Sequence, residues 1–170
     1  MDEPRIETKQ ALPYLAVRCE ITEGVPAAID AAFPRFMQRL GERGVAPAQA
    51  PFIRILEVDE DGEPLLLECG APVAAGTDGE GDVYAAELPA GRYVTATHVG
   101  AYRSEDKRDL NDARAELLAW IEREAIAYSR PRDGGGEVIA CGYDQLHVSP
   151  PMEPDFTKWE TELAYLVIDA

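Results

Sequence analysis

The order strand, helix, strand, strand occurs twice along this 170-residue chain, and that repetition restricts the fold more than any single motif. In the first half, Leu15, Val17, Cys19 and Ile21 alternate with Arg18 and Glu20, which predicts a half-buried strand over 12–21. Ile29, Ala32, Phe33, Phe36, Met37 and Leu40 then follow helical spacing. Pro34 predicts a late helix start or a kink, and Gly41 and Gly44 a stop. Strands at 52–58 and 65–73 flank Asp59-Glu60-Asp61-Gly62-Glu63, which reads as a hairpin turn. The acidic stretch 76–82 has no apolar anchor and reads as a flexible linker.

After the linker the pattern restarts. A strand rich in Tyr, Val and Thr covers 92–99, and Leu110, Ala113, Leu117, Trp120 and Ile121 mark a helical face. Ser104, Glu105 and Asp106 lie near its start, where oxygens can cap free amides. Short strands at 138–143 and 159–168 complete the half, separated by loops at 130–136 and 149–154. Leu40 falls in register with Ile121, and Glu68 with Glu162, once an insertion before the last strand is allowed for. The expectation is an α+β fold built as a duplicated β-α-β-β module. It forms one domain over 1–170, with a first repeat at about 5–75 and a second at about 83–168. Two antiparallel sheet/helix halves related by a pseudo-two-fold are expected to leave a cleft between them.

Composition removes several function classes. Acids outnumber bases 32 to 16, so the net charge of −16 repels phosphate backbones and argues against direct nucleic-acid binding. No apolar run is long enough to span a bilayer, and the N-terminus Met1-Asp2-Glu3-Pro4-Arg5 lacks the pattern of a signal peptide. Cys19, Cys69 and Cys141 are odd in number and widely spaced, as in reduced cytosolic proteins, so a cytoplasmic location is expected. His98 and His147 have no partner at metal-ligand spacing, and phosphate-loop, dinucleotide and hydrolase-elbow motifs are missing. Neither metal nor cofactor is expected.

The candidate site starts from Glu162. Strand alternation puts Glu160, Glu162, Ala164 and Leu166 on one face and Trp159, Leu163, Tyr165 and Val167 on the other. A carboxylate with apolar neighbours on its own face is costly to bury unless paired or protonated, so Glu162 is either an acid at a cleft floor or an edge-strand acid facing water. Glu68 carries the same two readings in the first half. Among the rings, Phe33, Phe36 and Trp120 sit on helical apolar faces, where packing is their first role. Tyr102, Tyr143 and Trp159 lie at strand ends or loop edges, where a ring lines a cleft or joins the core. Rings beside a carboxylate attract a cation from two sides. The set assigned to a ligand is Glu162, Trp159, Tyr102, Tyr143, Glu68 and Trp120.

Leu88-Pro89-Ala90-Gly91-Arg92-Tyr93, running on to His98-Val99-Gly100-Ala101-Tyr102, resembles a signature of the GyrI-like effector-binding domain family, with Ala101 in place of the usual proline. Trp159-Glu160-Thr161-Glu162 followed by Tyr165-Leu166-Val167 resembles that family's last strand, though Leu166 stands where a proline is common. Ala71-Pro72-Val73 keeps that proline in the first half. The likeness covers about residues 5–168. It implies an SHS2-like pair of modules facing one another across a ligand cleft, with Glu162 as the central acid and Tyr102 and Trp159 in the lining. Members of the family act as effector domains of AraC- and MerR-type regulators, as stand-alone gyrase-inhibitory or compound-sequestering proteins, or as hydrolases of reactive cyclopropanoid compounds.

From these observations a stand-alone binder of lipophilic, cationic or aromatic small molecules is expected, monomeric or homodimeric. The first alternative is a hydrolase with Glu162 as general acid or base. The second is an acidic protein-binding module directed at gyrase or a regulator chain. With no room for a helix-turn-helix before residue 5 or after 168, any DNA contact is expected from another chain.

Overall fold

Alternation and helical spacing translate into eleven elements in the computed structural model, which describes residues 1–169. In chain order they are β1 (Arg5–Lys9), β2 (Leu12–Cys19), α1 (Val25–Glu42), β3 (Phe52–Val58), β4 (Pro64–Pro72), β5 (Tyr84–Leu88), β6 (Gly91–Val99), α2 (Leu110–Arg123), β7 (Ser129–Pro131), β8 (Glu137–Val148) and β9 (Glu160–Leu166). A 3-10 turn at Phe156–Lys158 precedes β9.

Among the described residues all nine strands pair in one antiparallel sheet, in the order β1-β6-β9-β8-β3-β4-β2-β5, with β7 attached to β8. The fold is therefore α+β, as expected. Its halves are joined through the sheet itself. β3 and β8 pair directly, with Phe52 opposite Gln145 and Arg54 opposite Tyr143. Each strand would otherwise be a bare edge of amides and carbonyls, and joining them satisfies both. The outer strands cross over: β1 pairs with β6 of the second half, and β5 with β2 of the first.

Both helices lie on one face of this sheet. Ala28, Phe36 and Leu40 of α1, and Leu110, Ala113, Leu117 and Ile121 of α2, share a core with Leu15, Val17, Ile53, Leu67, Val94 and Leu163. α1 continues through Pro34, so the late start is not observed. Pro34 and Asp30, whose carbonyl loses its partner, are both exposed, which leaves the free acceptor on the solvent side. The cap of α2 is Asp109 rather than Ser104, Glu105 or Asp106. Its carboxylate accepts from the amides of Asn111 and Asp112 at 2.9 and 3.1 Å, and Asp112 returns the bond to the Asp109 amide. Ser104 instead closes the preceding turn by accepting from Asp106 and Lys107.

The hairpin between β3 and β4 forms as read, with Asp59 accepting from the amides of Asp61 and Glu63 and Gly62 at a φ of 83°. The 76–82 stretch is more tightly tied than a free linker. Arg39 pairs with Asp82, Arg43 with Glu80, and Val83 is buried beside them in the helix-side core.

Candidate functional site

The second face of the sheet carries no helix, and there the period of two brings polar and aromatic side chains together. In β4, Leu67, Cys69 and Ala71 point toward α1, so Glu68 and Gly70 point away. In β9, Leu163 and Tyr165 point toward the helices, which leaves Glu162, Ala164 and Leu166 opposite them. Tyr14, Ala16, Phe52, Leu88, Tyr93, Cys141, Tyr143 and Ala164 form a separate buried cluster on this side.

Four rings make a row across it. Tyr14 meets Phe52 edge-on at 5.0 Å, Phe52 meets Tyr143 at 5.6 Å, and Tyr143 meets Tyr93 at 6.0 Å. Small residues in the strands between make room: Phe52 is opposite Gly70 in β4, and Tyr143 is opposite Ala164 in β9.

A carboxylate stands toward each side of this row. Glu68 is 1% exposed; Tyr14 and Tyr84 donate their hydroxyls to its two oxygens, and Arg54 lies 3.6 Å away. Arg54 also donates to the Tyr14 hydroxyl at 2.8 Å. Burial, reinforced by the Glu68 charge, pushes both phenols above their ordinary range, so they remain donors. Glu162, with a side chain 12% exposed, accepts from Lys9 Nζ at 2.7 Å. Lys9 lines a hollow of about 220 Å³ together with Leu12, Leu88, Tyr93, Tyr143 and Gln145. Burial and then the Glu162 charge raise the Tyr143 phenol, and burial raises that of Tyr93, which donates to the Pro89 carbonyl at 2.7 Å.

A larger groove of about 1260 Å³ runs over the opposite face between α1 and α2, lined by Ile29, Ile53, Tyr102, Leu110 and Tyr128 among others. Asp144 is its buried acid. Arg114 already binds that carboxylate through two bonds of 2.8 and 2.6 Å, which leaves the acid satisfied from within.

The structure thus brings together Glu162, Glu68 and Tyr143 on the helix-free face. Tyr102 and Trp159 do not join them. The chain leaves the sheet at Gly100, with a φ of 135°, and carries Tyr102 to the helix side, where its ring meets Trp159 at 4.7 Å. Trp159 donates its indole N–H to the Glu153 carbonyl at 2.7 Å. Trp120 packs against the helix-side core beside Ile121. His98 also turns to a local contact, its ring nitrogen 3.1 Å from the Ala101 carbonyl. Residues not foreseen are Tyr14, Phe52, Arg54, Tyr84, Tyr93 and Lys9. Tyr14 and Tyr93 were accessible to the same alternation that separated Glu162 from Leu163. Among the described residues there is no cluster of His, Cys, Asp and Glu able to hold a metal ion, and no helix long and apolar enough to cross a membrane.

Comparison with known proteins bears on the family and the fold. The family model described as "GyrI-like small molecule binding domain" matches residues 2–135. No curated protein matches by sequence. Among solved structures, the EcmrR C-terminal domain is similar with a TM-score of 0.74 and 16% identity, covering 99% of this chain and 98% of that one. EcmrR in its complex with DNA gives a TM-score of 0.78 at 17% identity, and the present chain spans 58% of that chain's length. SAV2435 bound to tetraphenylphosphonium gives 0.55 at 14% identity, covering 98% of this chain and 94% of that one. At these identities the likeness is one of fold.

Proposed function

The chain belongs to the GyrI-like small-molecule-binding family, and from that premise we propose that its helix-free face takes up lipophilic organic cations, with Glu162 as the acid that receives their charge. The observation that carries this reading is the Lys9 ammonium seated on Glu162 at 2.7 Å, at a hollow walled by Tyr93 and Tyr143. That is a cation on a partly buried carboxylate, at the edge of a hollow that two phenol rings help to line, provided by the protein itself. A ligand cation that takes the place of Nζ inherits the same partners, strengthened by their removal from water.

The hollow is smaller than the roughly 300 Å³ at which drug-sized pockets begin, so uptake goes with withdrawal of β1. Geometry supports this: β1 is a five-residue strand at the edge of the sheet, held through β6. Released Lys9 returns to solvent, which suits a long ammonium side chain. Glu68, clamped by two phenols and near Arg54, holds its charge in place and acts as a fixed wall rather than a receiver. The ligand bound to SAV2435, a lipophilic cation, is of the class proposed here. EcmrR, in which a domain of this fold belongs to a DNA-bound chain, supports reading the uptake as sensing or sequestration.

We further read the two halves as copies of one SHS2-like module within a single domain, the repeats at about 5–75 and 83–168. Pairing supports it: Arg54 lies opposite Glu68 as Gln145 lies opposite Glu162, and Phe52 opposite Gly70 as Tyr143 opposite Ala164. Tyr14 and Tyr93 stand at matching places in β2 and β6.

Titration of tetraphenylphosphonium, followed by quenching of intrinsic fluorescence, tests the assignment. Glu162→Gln is expected to weaken binding at least about ten-fold, the effect of removing one partly buried charge partner. Unchanged affinity in a folded Glu162→Gln protein removes Glu162 from the site.

A further inference from the structure

Cys19 closes β2 and Cys69 lies in β4, both on the helix-bearing face and both buried in the core. The antiparallel register sets Val17 opposite Cys69 and Cys19 opposite Leu67, so the two cysteines are diagonal neighbours across one strand pair. Their sulfurs are 2.8 Å apart, and both thiols are free. A disulfide bond is about 2.05 Å long, so less than ~1 Å of approach separates the contact from a covalent bond. Cys141, the third cysteine, is buried in the other cluster beside Tyr93.

We infer that Cys19 and Cys69 are an oxidisable dithiol site, which a two-electron oxidant of the peroxide class closes to a disulfide between β2 and β4. Cys19 loses its proton and its sulfur attacks one oxygen of hydrogen peroxide. The O–O bond breaks, hydroxide leaves and combines with that proton as water, and Cys19 becomes a sulfenic acid. The Cys69 sulfur then attacks the Cys19 sulfur; the S–O bond breaks, and the departing hydroxide takes the Cys69 proton as a second water. Two thiols lose two electrons to one peroxide, giving one disulfide and two waters. The order of attack follows from the sulfur contact: a hydrogen bond from Cys69 holds the Cys19 thiol below its ordinary range, while the same bond and then burial push Cys69 up. The bridge would pin β4 at the residue next to Glu68, on the far side of the same strand.

The test treats the folded protein with hydrogen peroxide, unfolds it, and alkylates the remaining thiols for mass analysis. The expected result is a mass loss of about 2 Da before alkylation, from the two hydrogens released, a drop from three alkylated cysteines to one after it, and a tryptic peptide linking Cys19 to Cys69 that dithiothreitol separates. Cys141→Ser is expected to give the same linked peptide and no alkylation. Oxidation in urea, where the strands are apart, is expected to scatter the pairing over all three cysteines. Three labels after peroxide, a linkage through Cys141, or equal Cys19–Cys69 yield in the folded and unfolded protein would overturn the inference.

Discussion

The ring of Phe52 lies against the backbone of Gly70, in the space that a side chain at that position would need. A Cβ placed on Gly70 would come 2.5 Å from Phe52 Cζ and 2.6 Å from Cε2, closer than packed carbons approach. The ring cannot simply tilt away, because Tyr14 and Tyr143 bracket it at 5.0 and 5.6 Å. The glycine is thus fixed by the aromatic row rather than by its own backbone angles. Gly70→Ala is expected to destabilise the protein by about 1–3 kcal/mol through overpacking, and Phe52→Leu in the same chain to return part of that loss. Denaturant unfolding of the single and double variants measures it; a Gly70→Ala protein as stable as wild type would show that the row has room to spare.

On the opposite face, Arg114 and Asp144 are one unit. Their side chains are 20% and 9% exposed, and two short hydrogen bonds join them. Removing one partner strands the other charge, so Asp144→Asn is expected to cost about 3 kcal/mol, whereas Arg114→Met combined with Asp144→Leu recovers most of it. A double-mutant cycle reads the coupling directly. Additive effects would mean that the pair is solvated after all.

Alkali gives a third check. All seven tyrosines have phenols raised above the ordinary value, burial being the first cause in each, and Tyr128 is pushed up to about 12. A folded-state value above the unfolded value near ~10 means that the phenolate favours the unfolded chain. The resulting stabilisation is complete below about pH 10 and is lost as pH climbs toward the folded values. Phenolate absorbance and circular dichroism are therefore expected to change together in one step well above pH 10. Several phenols titrating near 10 with the circular dichroism unchanged would contradict the burial assigned to the aromatic row.

Most of the architecture was legible because burial writes a period into the chain. Leu15, Val17 and Cys19 gave β2, the spacing from Ile29 to Leu40 gave α1, and the alternation about Glu162 put it opposite Leu163 and Tyr165, where it lies. β1 escaped notice because Arg5-Ile6-Glu7-Thr8-Lys9 has one apolar residue, and Ile6 is 43% exposed. An edge strand needs little hydrophobic content, and charges there discourage further pairing. β5 escaped because Ala85 and Ala86 are weak strand formers that pair here with Leu15 and Tyr14.

The site was half legible for the same reason. Alternation tells which residues share a face but not which face a helix covers: Glu162, Glu68 and Tyr143 lie together on the helix-free face, whereas Tyr102, Trp159 and Trp120 lie on the helix side. Lys9 could not be found by pattern at all. It meets Glu162 across 153 positions of sequence, through a strand that crosses to the other half.

That contact also offers the sharpest test. If Lys9 occupies the seat of a ligand cation, then removing its charge empties the seat without touching the acid or the rings. Calorimetric titration of tetraphenylphosphonium into Lys9→Met is expected to show affinity raised about ten-fold over wild type, the equivalent of one lost competing ion pair. Affinity equal to or weaker than wild type in a folded Lys9→Met protein would mean that Lys9 and the ligand do not compete for Glu162, and the site proposed on the helix-free face would be wrong.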